Sequence, residues 1–231
     1  VTLQDCGVEV ANTWIYMNML ENLTMRDCQL SDVSGYNPLY IDMYLEPGYS
    51  EKYLEHDVDT SNTVNGRPVR TYGHLSGDYV NLFGVPTGAL ILLDVNQTTF
   101  RYADVRGGPV IVLNSNGTLF EDSGTADSRS SLTVANSGNI TFDGFEIATS
   151  WDLSKVDIVE SYAIHLDGVD FEKAVLDIRY ADALEITNSH MDNSAIRIRW
   201  SKQGLIQSNQ LDLSMQYFGS GLEFNDQCSN I

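Results

Sequence analysis

The sequence predicts an all-β fold, a parallel β-helix wound in coils of about 20–22 residues with one long insertion. Three columns of residues predict it. Large apolar side chains recur at Phe100, Phe120, Phe142, Ile164, Ile186 and Ile206, at spacings of 20, 22, 22, 22 and 20. Five residues after each stand Val105, Thr125, Ile147, Val169, Met191 and Leu211. A third column consists of apolar pairs two residues apart: Leu90/Leu92, Val110/Val112, Leu132/Val134, Val156/Ile158, Leu176/Ile178, Ile196/Ile198 and Leu222/Phe224. Alternate residues share one face of a strand, so each pair marks a strand with one apolar side.

The elements follow in chain order. The opening string VTLQDCGV and the later LTMRDCQL superpose 22 residues apart, so residues 1–30 form two N-terminal coils with Cys6 above Cys28. Residues 31–88 break the period and are rich in Tyr, Asp and Glu, which reads as an excursion. Regular winding is expected over residues 89–231, and the whole chain reads as a single solenoid domain. The strings NSNG, NSGN, DG and TNS between strands suit the tight or left-handed backbone of corners. AIRIRW at residues 195–200 shows the alternation, with Ile196 and Ile198 on one face and Arg197 and Arg199 on the other. A leucine-rich repeat needs a Leu-rich consensus with a fixed Asn, which is missing. A sandwich gives no reason for a register near 22 residues. A closed helix and an open β-arch fit the pattern equally, since the excursion could replace one side.

Thirteen basic residues against 32 acidic ones give a net charge of −19, which argues against nucleic acid or anionic lipid as partner. Such a surface suits nonspecific divalent cations and simple solubility alike. No apolar run reaches the roughly 18–20 residues that span a bilayer. The chain begins at Val1 without a signal-like segment, which reads as a mature or trimmed product. Sequons at Asn22, Asn96, Asn116 and Asn139 permit glycosylation outside the cell.

One segment has no periodic role: HDVDTSNTVNGRPV at residues 56–69. It resembles a string that recurs in archaeal, methanogen-type cell-surface proteins with NosD-like β-helix repeats, with Arg67 in place of the usual Lys. The resemblance implies a right-handed helix and an extracellular cell-envelope setting, such as a sheath or surface layer. It implies a fold more firmly than an activity.

The chemistry-bearing residues point away from catalysis. Asp143, His165 and Thr187 share an outward column in this register, but the clustered Asp-Asp or Arg-X-Lys patterns of sugar-cleaving β-helices are missing. His56, His74, His165 and His190 have no ligand spacing, and Met17 and Met19 read as core filling, so no metal site or cofactor is expected. Tyr180 and Trp200 occupy one column a coil apart, either as a carbohydrate contact or as a stack that covers the sheet.

Three cysteines cannot all pair within one chain. Cys6 and Cys28 either pair with each other or, with Cys228, bond neighbouring subunits. No amphipathic helix stands at either terminus as a lid, and an uncapped solenoid exposes strand edges. The expected function is therefore a non-enzymatic structural subunit of an extracellular archaeal envelope. It would polymerise with itself by sheet continuation and intermolecular disulfides, with cell-wall polysaccharide as a further partner. The alternative is a surface β-helix that binds or cleaves carbohydrate.

Overall fold

The computed structural model describes residues 2–10, 15–18, 24–32, 39–42, 57–126, 131–148, 154–212, 222–225 and 228. Among these residues every regular element is a strand, and parallel coils stack into a β-solenoid of about 8 turns. Each regular coil supplies one strand to each of three sheets, of eleven, seven and six strands. The coil at Ala89–Leu93, Thr99–Arg101 and Asp104–Arg106 is typical. No helix among the described residues is long and apolar enough to cross a membrane.

The coils hold register because side chains of like kind meet between neighbouring strands. In the eleven-stranded sheet Leu90 and Leu92 sit beside Val110 and Val112, and these beside Leu132 and Val134. That column continues as expected through Val156, Leu176, Ile196 and Leu222. In the seven-stranded sheet Phe100, Phe120 and Phe142 are fully buried and stack ring on ring, with centroids 5.6 and 4.8 Å apart. Phe145 closes this aromatic row edge-on, 5.1 Å from Phe142.

At Phe142 the expected register is corrected. Its neighbour on the next coil is Leu166, while Ile164 pairs with Ile140. The second column shifts with it, and Ile147 pairs with Phe171 rather than Val169. The coil between Ser137 and Ser161 is 24 residues long, not 22. A slip of two residues keeps the same face of the strand, so hydrophobicity tolerates either pairing.

Corners are built from left-handed residues with a hydroxyl behind them. Asp94, Asn114, Asn136, Glu160, Tyr180 and Trp200 all hold φ between 46° and 54°. Just inside lies a serine ladder. The N–H groups of Val95, Ser115 and Ser137 donate to the hydroxyls of Ser115, Ser137 and Ser161 on the next coil, at 3.1, 3.1 and 3.3 Å. Ala181 repeats the contact with Ser201 at 3.2 Å. The ladder satisfies buried backbone donors where the sheet hydrogen bonds are interrupted.

The N-terminal coils stack as the repeat implies, with Leu3 beside Met25 and Val8 beside Leu30. Their relation to the rest is unexpected. Thr63–Val64 pairs antiparallel with Arg67 and Pro68 through a turn at Asn65 and Gly66, both with positive φ. Asn-Gly is the favoured pair for such a two-residue hairpin. This gives the aperiodic segment its role, a reversal between two stacks of opposite strand sense. Regular winding then begins at Arg67–Gly73, whose residues 69–73 pair with 89–93, one coil ahead of Ala89.

The hairpin brings a second core against the outside of the eleven-stranded sheet. Met25, Cys28, Leu30, Val58 and Val64 cluster with Ile91, Leu93, Ile111, Leu113, Ala135 and Val159. Those sheet residues alternate with the ones that line the solenoid interior. The strands ALILL and VIVL are therefore buried on both faces, which accounts for their unbroken apolar character.

Candidate functional site

Three places bring chemistry-bearing side chains together: the aromatic corner at Tyr180 and Trp200, the C-terminal end of the stack, and a groove beside Phe83. The expected stack of Tyr180 on Trp200 forms, with centroids 5.0 Å apart and planes 8° from parallel. Both residues sit at positive φ, an uncommon backbone state for bulky side chains. Each ring covers one face of the other, and Tyr180 keeps part of its surface exposed. Beside it the outer face of the sheet turns from apolar to charged. Lys155 and Arg179 approach Asp157 at 2.9 and 3.4 Å, and Arg199 donates to Asp177 at 2.6 Å. Burial pushes the Asp157 carboxyl above its ordinary pKa, with Lys155 and Arg179 opposing it.

The expected row Asp143–His165–Thr187 does not form, because the 24-residue coil shifts it by two. Asp143 pairs with Asp167, and Asp167 with Thr187. Hydrogen bonds from Asn188 at 2.7 Å and Thr187 at 2.9 Å hold the Asp167 carboxylate below its ordinary pKa. His165 instead meets Glu185 at 2.9 Å. His74 and His190 likewise face Asp94 and Asp170 on neighbouring coils, at 2.9 and 3.1 Å. Among the described residues no three His, Cys, Asp or Glu side chains converge to hold a metal ion. His56 and Met19 lie outside the described residues, as does the side chain of Met17.

Cys6 and Cys28 form an intrachain disulfide, with Cα atoms 4.6 Å apart. Of the two arrangements the sequence leaves open for these cysteines, this is the intrachain one: two adjacent coils place both thiols against each other. Cys228 remains a thiol, half-buried, with Sγ 3.4 Å from the Ile198 carbonyl oxygen. Asn22 lies outside the described residues. Asn96, Asn116 and Asn139 line one corner, and Asn139 donates to Asn116 Oδ1 at 2.7 Å. The hydroxyls of Thr98 and Thr118 in two of these sequons are bonded to backbone carbonyls.

At the C-terminal end the interior column becomes exposed. Ile196 and Ile198 are fully buried, whereas Leu222 and Phe224 on the next strand are 39% and 47% exposed. The strands Lys202–Gln207, Gln210–Leu211 and Leu222–Asn225 are the last of their sheets among the described residues.

Sequence reasoning missed the groove. Leu82 accepts a hydrogen bond from the Val85 N–H at 3.0 Å, closing a turn with Phe83 at its tip and Gly84 at φ 69°. Positive φ at the third residue of such a turn favours glycine. Phe83 is 77% exposed and rests edge-on against Tyr102, centroids 5.6 Å apart. Beside them a cavity of about 620 Å³ runs along the next three coils, past Asp104, Arg106, Asp122 and Glu146. The turn belongs to one coil and the wall to others, so only the F-G pair at residues 83–84 hinted at it.

No family model matches this chain, and no curated protein does. Among solved structures it is similar to full-length QnrB1, described as a plasmid-mediated fluoroquinolone resistance protein. That match has 13% identity and a TM-score of 0.20, covering 68% of this chain and 94% of that one. A trypsin-treated form of QnrB1 gives 13% identity and a TM-score of 0.19, with coverage of 68% and 93%. A likeness this low carries no argument about this chain.

Proposed function

We propose that the chain is a non-enzymatic structural subunit of an extracellular archaeal cell envelope, a sheath or surface layer. It assembles with itself by continuing its sheets from copy to copy. A β-solenoid suits a structural or repeat protein. The archaeal setting rests on the resemblance of residues 56–69 alone. The observation that carries the assembly reading is the exposure of Leu222 and Phe224, on a strand that is the last of its sheet among the described residues. A neighbour's first coil would cover those side chains and pair the edges, giving a head-to-tail filament. Cys228, packed against the core beside Ile198, is the cysteine this reading assigns to an intersubunit disulfide.

The test combines electron microscopy of native material with non-reducing electrophoresis. Filaments and a ladder that collapses with thiol are expected, and Phe224→Asp should leave single subunits. Single subunits in native material, or filaments unaffected by Phe224→Asp, would overturn the assembly reading. A second reading, a carbohydrate-binding surface β-helix, is supported by the exposed aromatic rings at Phe83 and Tyr180. Saturable sugar binding by the single subunit would favour it.

A further inference from the structure

We propose that the groove beside Phe83 and Tyr102 is a binding site for a neutral glycan chain. The inference deepens the carbohydrate reading, places its site away from Tyr180 and Trp200, and is independent of assembly.

A sugar ring presents a face of C–H groups and a rim of hydroxyls. Recognition therefore takes an accessible aromatic face with paired carboxylates or guanidiniums nearby. Phe83 offers that face, since most of its ring stands in solvent on a turn anchored by buried Leu82. Tyr102 holds it edge-on, and the Arg101 guanidinium lies 4.7 Å from the Tyr102 ring centre. Arg101 donates to Asp122 at 3.1 Å, and Arg106 donates to both oxygens of Asp104 at 2.9 and 3.0 Å. These contacts fix the carboxylates along the wall, each with further acceptor capacity for hydroxyl donors. The floor is low because its residues are small, Ala103, Ser123 and Gly124 among them.

The size fits several sugar units. The cavity of about 620 Å³ runs into a second recess of about 430 Å³ that shares Gly84 and Asp104. Ligand pockets span roughly 300–1,000 Å³. The charge selects the class. Asp104, Asp122 and Glu146 stand with Arg106 in the larger cavity, Arg101 beside it and Arg67 in the second recess, so the site has no net positive charge in a chain of net charge −19, which disfavours an anionic polysaccharide. The Tyr180–Trp200 pair is a poorer platform, because each ring turns one face to the other.

The probes are mannan, glucan and galactan oligosaccharides of about four to six units, titrated calorimetrically, with polygalacturonate as the charged comparison. At least one neutral oligosaccharide is expected to bind saturably, and polygalacturonate is not. Phe83→Ala should weaken that binding about tenfold, the scale of one aromatic contact. Tyr102→Asn should do the same, since Asn tolerates the positive φ of 58° there. Trp200→Ala should leave it unchanged. Binding that survives Phe83→Ala but falls with Trp200→Ala would overturn the groove and keep the carbohydrate reading. Binding of no neutral oligosaccharide would overturn both. An unchanged melting temperature in Phe83→Ala, expected for so exposed a side chain, separates lost binding from lost folding.

Discussion

Removing one rung of the serine ladder tests the stacking of coils at atomic scale. Ser137 is buried, accepts the Ser115 N–H at 3.1 Å and donates to the Ala135 carbonyl at 2.8 Å. Ser137→Ala leaves the Ser115 N–H without an acceptor on the next coil. An orphaned buried donor costs about 1–3 kcal/mol, and with the bond to Ala135 lost as well the variant should fall in the upper part of that range, about 2–3 kcal/mol less stable. For a chain of this length that is a fall of about 4–12 °C in melting temperature. The matching local readout is hydrogen exchange at the Ser115 amide, which should quicken about 30- to 150-fold. Lys202→Gln, an exposed change at the end of the stack, should stay within about 0.5 kcal/mol of the parent. A Ser137→Ala protein as stable as the parent, with Ser115 still protected, would refute a ladder that joins coils at this corner.

Other perturbations address the core, the staple and acid. Phe142→Ala removes a fully buried ring that touches Phe120 and Phe145, and should lower stability by about 3–5 kcal/mol by denaturant titration. Reducing the Cys6–Cys28 bond, which closes 22 residues, should lower the stability of the N-terminal coils by about 3 kcal/mol, read as earlier proteolysis between them. The depressed pKa of Asp167 adds stability that is present above the unfolded carboxylate value of about 4. That contribution disappears as pH falls through the lower folded value. Asp167→Asn should therefore flatten the acid limb of the melting curve, and an unaltered limb would count against the Asn188 and Thr187 contacts.

The pairs from Leu90/Leu92 to Leu222/Phe224 were legible because one face of every strand meets the core, and alternation reports a face directly. In the seven-stranded sheet the expected column fails at Ile164 and resumes with Ile186 beside Ile206. Ile164 and Leu166 are both apolar and both face inward, so composition could not choose the register, and a coil of 24 residues did. The hairpin left a usable mark in Asn65-Gly66 between β-forming residues. The second core also left one, since ALILL and VIVL carry no polar alternate residues. Corner strain was hidden at Tyr180 and Trp200, where bulky residues adopt a backbone state that Asn fills two coils earlier. The Phe83 groove was hardest to read, since four coils contribute to it and each alone looks like an ordinary turn.

The pairing of neighbouring strands around Phe142 in the seven-stranded sheet decides the account most directly. Interstrand NOE contacts measured on isotope-labelled protein should join Phe120 to Phe142 and Phe142 to Leu166, the parallel register on which the solenoid and its groove depend. Contacts joining Phe142 to Ile164 across that gap, or antiparallel contacts in their place, would contradict it.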